Sequence, residues 1–293
     1  MPLNEKAMIA EIELKKWSGR RLDQTLSRKV VTDNNARHDS ARVTKILMPD
    51  EPKLADIRRK QGVARNYHYA HTHPWGEQRG NRILPTALYM DYHKAMEVIL
   101  DDIQQTIDEF CEPAYYEAAI KRNMDQLGTL VTRDDYPATA GEVKRFFKAG
   151  IDYIPIAATG DFRINLGVKE LQALKEAAIE KERRVIELAT ENTWEKMETL
   201  MEHANERLSN PDASFHRSLP GNIKKFSQIV GALNIGEDRF IDEIAAEFAP
   251  LGDLGFEELR DDDAIRSDAA QTAKTALDKI RAKQKAMEDA RTA

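Results

Sequence analysis

The sequence predicts a mainly α protein, an elongated helical bundle with one long helix and a small three-stranded antiparallel β-sheet. Three observations carry this. Residues 168–208 contain no proline or glycine, and their apolar side chains recur at helical spacing. Proline and glycine are sparse throughout, at 11 and 14 in 293 residues, so long loops are few. Alternation of apolar and polar residues at 8–16 and 151–166 marks the strands, the second stretch as a hairpin. A hairpin alone is rarely stable, so the N-terminal strand is expected to join it.

In chain order, Met8, Ala10, Ile12 and Leu14 give the first strand one apolar face. Ser18 and Gly19 break it, and a helix is expected over 20–34 from Leu22, Leu26 and Val30. Val43, Ile46 and Leu47 form a short apolar element. A helix over 53–70 follows, ended by His73-Pro74, because the residue before proline disfavours helical backbone. Pro85 suits the first turn of a long helix carrying Leu88, Val98, Ile103, Ile107 and Phe110. Glu112-Pro113 opens the next helix, and Thr139 with Glu142 forms a capping box. After the hairpin, the long helix changes phase between Leu188 and Trp194 and stops at Asn210-Pro211. Further helices open at Pro220, at Glu237 and after Asp261-Asp262-Asp263, where acidic residues complement the helix dipole. The organisation reads as a basic region over 1–166 and a helical region over 167–293, or as one continuous domain.

Composition narrows the classes. Mean hydropathy is −0.60, with 41% hydrophobic and 32% charged residues. No apolar run approaches the roughly 20 residues of a membrane span. The N-terminus has early acids and no apolar core, unlike a signal peptide. Cys111 stands alone, which excludes an intrachain disulfide and a thiolate metal cluster and fits a cytoplasmic location. The net charge of −6 is uneven: residues 1–90 hold 17 Lys and Arg against 10 Asp and Glu, net +7, and the rest is net −13. A basic N-terminal third suits an anionic partner, DNA or RNA; equally, it suits docking on the acidic helices of its own chain.

The densest chemistry lies in residues 58–82, with His68, His71, His73, Tyr67, Tyr69, Trp75 and six cations. Arg58, Arg59, Lys60, Arg65, Arg79 and Arg82 can neutralise phosphates; Tyr67, His68, Tyr69 and Trp75 can stack on bases. Half-buried tyrosine and tryptophan with satisfied polar ends is the plainer reading. The three histidines could hold zinc with an open fourth position, but no fourth ligand or general base accompanies them. Neither Glu13-Leu14-Lys15 nor Glu142-Val143-Lys144 completes a nuclease site. Phosphate-binding, dinucleotide and serine-hydrolase motifs are absent, so no cofactor and no catalytic residue is expected.

Several segments occur in a telling order: Tyr67-His68-Tyr69, Thr72, Pro74-Trp75-Gly76, Arg82-Ile83-Leu84-Pro85, Asp135-Tyr136-Pro137, Gly160-Asp161-Phe162-Arg163, the stretch from Phe215 to Ser218, and Leu233-Asn234-Ile235. Together they resemble a family of bacteriophage and integrative-element proteins with a domain of unknown function. The resemblance implies a mostly helical protein of DNA metabolism in the host cytoplasm, encoded near MoxR-like AAA ATPases or replication and recombination genes. It supplies no catalytic residue, and its pattern departs from histidine at His71 and His73. The expectation is a non-enzymatic accessory protein binding nucleic acid through its basic third. An adaptor for an AAA ATPase or another phage protein, or a self-assembling homo-oligomer using the long helix, is the alternative; a metal-dependent hydrolase is the remote one.

Overall fold

The computed structural model describes residues 2–76, 81–158, 167–210 and 217–292, with side chains through 290. The chain begins with α1 (Leu3–Lys6), β1 (Ala7–Lys15), β2 (Arg20–Asp23), α2 (Gln24–Asp33), β3 (Val43–Ile46) and α3 (Pro52–His71). Then come β4 (His73–Pro74), β5 (Arg82–Pro85), α4 (Tyr89–Phe110), α5 (Pro113–Leu127), α6 (Ala140–Lys144) and β6 (Lys148–Pro155). The remainder is helical: α7 (Val168–Ser209), α8 (Ser218–Leu233), α9 (Arg239–Phe248), α10 (Phe256–Asp261) and α11 (Asp263–Thr292).

The mainly helical class with a small antiparallel sheet is as expected, but the expected three strands and single long helix need correction. Among the described residues there are 11 α-helices, a four-stranded sheet of order β4-β5-β1-β6 and a separate two-stranded ribbon, β2-β3. The 30 residues of α11 make a second long helix beside the 42 of α7. Met8 pairs with Leu84 and His73 with Ile83, so β5 runs antiparallel to both neighbours. Four residues and two are too short to display an alternation, which is why Pro85 reads as a helix start. Of the expected hairpin, β6 is present and residues 159–166 lie outside the described residues.

Residues 20–23 are a strand rather than the opening of a helix. The Asp23 carboxylate accepts the Leu26 N–H at 2.8 Å and so caps α2, which begins at Gln24. Upstream of the cap, Arg20 to Asp23 pair with Ile46 to Val43. Local helical spacing loses there to a non-local backbone ladder.

Two compact units form, and they are not divided by one cut at 166/167. The first contains Met1–Glu11, Tyr69–Tyr92 and Asp152–Ala293; the second contains Ile12–His68 and His93–Ile151. In the first, Trp194, Met197, Met201, Ala204 and Leu208 of α7 pack with α8, α9 and α11 residues such as Ile223, Phe248 and Ala273. Val185 and Ala189 of the same helix join a smaller cluster with Leu3, Ala7, Ile83 and Ile235, which accounts for the change of phase. In the second unit, Phe110 meets Tyr116 and Phe147 edge-to-face with centroids 5.8 Å apart, and Trp17 lies 6.5 Å away. No helix among the described residues is long and apolar enough to cross a membrane.

Candidate nucleic-acid interface

Helix α3 presents Arg58, Arg59, Lys60 and Arg65 of the 58–82 stretch, and the second unit sorts them into those paired with a carboxylate and those with none among the described residues. The Arg59 guanidinium donates to Asp56 through Nε at 3.0 Å and Nη2 at 2.7 Å. Lys60 reaches Asp102 Oδ1 at 2.6 Å and Thr106 Oγ1 at 2.8 Å, with Asp56 at 3.5 Å. The Asp102 contact, against some desolvation, holds the Lys60 ammonium above the usual lysine range. Both side chains are paired, Lys60 in a half-buried cluster and Arg59 at the surface.

Arg58 and Arg65 differ. They stand seven positions apart on α3, on one face, with Gly62 between them and open space where a Gly62 side chain would be. Neither has a carboxylate within ion-pair distance among the described residues. Their neighbour is a third cation, Lys16. Gln61, fully buried, donates from Nε2 to the Lys15 carbonyl at 3.0 Å and ties the end of β1 to α3. Partial desolvation, then the charges of Arg58 and Arg65, hold the Lys16 ammonium below its usual range. Three like charges gathered without a counter-ion among the described residues repel one another, and an anion bound among them relieves that repulsion.

The other expected contacts fall elsewhere. Tyr67 is half-buried and His68 is buried, and both are engaged in contacts of their own. In the first unit, the Arg82 guanidinium lies over the exposed Tyr69 ring at 4.5 Å. It donates to Thr72 Oγ1 at 2.7 Å and Thr72 O at 2.8 Å, and burial lowers its pKa. Trp75 packs on the cluster around Ile83, with Lys181 Nζ 5.5 Å from its ring centre. Arg79 lies outside the described residues. Thus the structure joins Arg58 with Arg65 and Tyr69 with Arg82, and it assigns the two pairs to different units.

The histidines do not converge on a metal. His68 belongs to the second unit and His71 and His73 to the first. His73 is fully buried, its Nε2 2.9 Å from the Leu233 carbonyl and its Nδ1 3.2 Å from the Asn192 amide. Both ring nitrogens are thereby occupied. Among the described residues, no group of three or more His, Cys, Asp and Glu is arranged to hold a metal ion.

The wider charge pattern shows only when paired cations are separated from those without partners. Residues 12–68 carry 14 Lys and Arg against 7 Asp and Glu. Seven of those cations have carboxylate partners: Lys15, Arg21, Arg37, Lys45, Lys53, Arg59 and Lys60. The other seven, Lys16, Arg20, Arg28, Lys29, Arg42, Arg58 and Arg65, have none among the described residues. Part of this was readable. Asp56 stands three and four positions before Arg59 and Lys60, whereas no acid stands three or four positions from Arg58 or Arg65. Lys16 carried no such signal, because its neighbours are distant in sequence. No family model, curated protein or solved structure matches the chain. The resemblance to the phage and mobile-element family therefore rests on the quoted segments alone.

Proposed function

We propose that the protein binds nucleic acid through the second unit, as a non-enzymatic accessory factor of DNA metabolism. The observation that supports this is the excess of un-neutralised cations in residues 12–68, with Lys16, Arg58 and Arg65 gathered at one place. A polyphosphate offers the counter-charge that the fold withholds, and release of its condensed counter-ions drives association. Arg59 and Lys60, already paired, contribute little in this reading.

The test is fluorescence anisotropy with labelled single- and double-stranded DNA over a range of salt concentrations. Replacing Lys16, Arg58 and Arg65 by alanine together should reduce the slope of log affinity on log salt by about 2–3, at roughly 0.7–0.9 per phosphate contact. An Arg59→Ala, Lys60→Ala variant should stay near wild type. Absence of binding at low salt, or equal losses in both variants, refutes the proposal.

A second reading is favoured by a different observation. The N-terminal part of α7 exposes Val168, at 87% of its surface, with Leu174 and Ile179. In that reading α7 mediates self-assembly or docks an ATPase. Light scattering tests the first form: a monomeric mass at high concentration counts against it, and a dimer lost on replacing Leu174 and Ile179 by serine supports it.

A further inference from the structure

The β2-β3 ribbon is turned inside out. On a two-stranded antiparallel ladder, directly opposed residues and their second neighbours share a face. With Arg20 opposite Ile46 and Leu22 opposite Thr44, one face carries Arg20, Leu22, Thr44 and Ile46. All four are exposed, and Leu22 and Ile46 each keep 47% of their surface in solvent. The opposite face carries Arg21, Asp23, Val43 and Lys45; the last three are half-buried, and the exposed Arg21 is paired with Asp135 at 3.4 Å. There Lys45 bridges Asp23 at 3.0 Å and Asp135 at 3.2 Å, holding the polar face against the unit. A one-residue slip would bury the apolar pair and release the charged one. The salt-bridged register instead keeps Leu22 and Ile46 outside.

The exposed face is also cationic. Arg20 lies at one end of it, and Arg42, immediately before β3, continues the two-residue register of Thr44 at the other. Neither arginine has an ion pair among the described residues, and no acidic residue shares the face. Four strand steps separate the two ends, about 13 Å at roughly 3.3 Å per residue. The major groove of B-DNA is about 12 Å wide and admits a two-stranded ribbon.

We propose that this face enters the major groove of duplex DNA. Leu22 and Ile46 lie against base edges, above all thymine methyl groups. The Thr44 hydroxyl meets a base-edge donor or acceptor, and Arg20 and Arg42 contact the flanking phosphates. The inference rests on the nucleic-acid reading above and narrows it to duplex DNA approached from the groove. Charge complementarity selects this occupant: two unpaired arginines frame an apolar centre that a polyanion with apolar base edges would cover.

The experiment compares a short duplex, its isolated strand, and the same duplex with uracil in place of thymine, each titrated with the full chain. Wild type should prefer the duplex to the strand. Arg20→Gln with Arg42→Gln should lower the salt slope on duplex by about 2, from two phosphate contacts. Leu22→Ser with Ile46→Ser should leave the slope intact and weaken duplex binding. Uracil substitution should weaken wild type roughly four-fold per buried methyl and leave that serine variant unmoved. All four positions are exposed, and unchanged circular dichroism and melting would establish that the variants fold.

Duplex binding that is lost with Lys16, Arg58 and Arg65 but unaffected by every ribbon substitution overturns the ribbon and leaves the broader reading standing. Preference for the single strand also overturns it. Tighter binding to polyglutamate than to duplex, abolished by the arginine substitutions, would assign the ribbon to an acidic protein. No binding to any nucleic acid removes both readings together.

Discussion

His73 should make the first unit lose stability on acidification, in addition to any contribution from its neighbour Lys196, whose ammonium burial pushes down to about 7. Burial, reinforced by the nearby charge of Lys196, pushes the imidazole down to about 3; the Asn192 and Leu233 contacts pull it up, and burial wins. An unfolded histidine titrates near 6.5. Between these values the unfolded chain binds one proton more than the folded one, so stability rises with pH there and falls as pH is lowered. From about pH 7.5 to about pH 5 the loss works out to about 2 kcal/mol, because the proton is taken up almost entirely by the unfolded state. That figure changes little if the folded value is nearer 4, since both lie below the window. A neutral ring donating to Leu233 also needs a donor at Nδ1. The Asn192 amide supplies one if it turns, which moves its Nδ2 off the exposed Glu195, now 3.1 Å away. Urea unfolding in a Trp17→Phe background leaves Trp75 and Trp194 as reporters, both in the first unit. His73→Gln should flatten the dependence by about 2 kcal/mol relative to its parent. Parallel curves for the two proteins, or an imidazole resonance of His73 titrating near 6.5, would refute the reasoning.

The remaining predictions concern packing and reactivity. A side chain at Gly252 would stand 2.6 Å from the Lys224 backbone nitrogen and 2.7 Å from its Cα, so Gly252→Ala should cost about 1–3 kcal/mol. Gly221→Ala, placed in α8 with open space around it, should instead gain about 0.5–1 kcal/mol; thermal melts compare the two. Glu51 is buried, accepting from Tyr115 Oη at 2.5 Å and Arg122 Nη2 at 3.0 Å. Glu51→Gln should destabilise the second unit by about 1–3 kcal/mol in urea unfolding, held to that range because Arg122 is half exposed. Burial pushes the Cys111 thiol up to about 11, so a thiol reagent at neutral pH should label it only after denaturation.

Helices were legible because their signals are local. Glu112, Thr139 and Asp238 accept the N–H groups of Tyr115, Glu142 and Phe240, and each lies within one residue of the start that periodicity marks. Strands β2, β4 and β5 were not legible. They have four, two and four residues, and what fixes them is a partner far along the chain. The same division runs through the candidate site. Asp56 beside Arg59 and Lys60 is a helical neighbour that spacing reveals, whereas Asp102 lies 42 positions from Lys60. His68, His71 and His73 look like a ligand set only while their burial is unknown: His73 is fully buried against Leu233 and Asn192.

Charge written in a sequence is therefore not charge available to a partner. The 58–82 stretch has the densest cations, but Lys60 and Arg82 are engaged within the fold and Arg59 is paired with Asp56 at the surface. Availability is decided by which carboxylates the tertiary structure brings near, and it passes to positions with no local prominence: Lys16, Arg20 and Arg42. The ribbon carries the point furthest. Leu22 and Ile46 gave no sign of being exposed, because Leu22 reads at helical spacing and the outward face of the ribbon is set by a register with a partner strand that the local sequence does not show. The Lys45 bridge to Asp23 and Asp135 fixes that register with the apolar residues outward. Exposed apolar area is retained at a cost of about 25 cal/mol per Å² that burial would have recovered. A fold that leaves Leu22 and Ile46 exposed between two arginines without an ion pair among the described residues has the arrangement expected of a surface completed by its ligand.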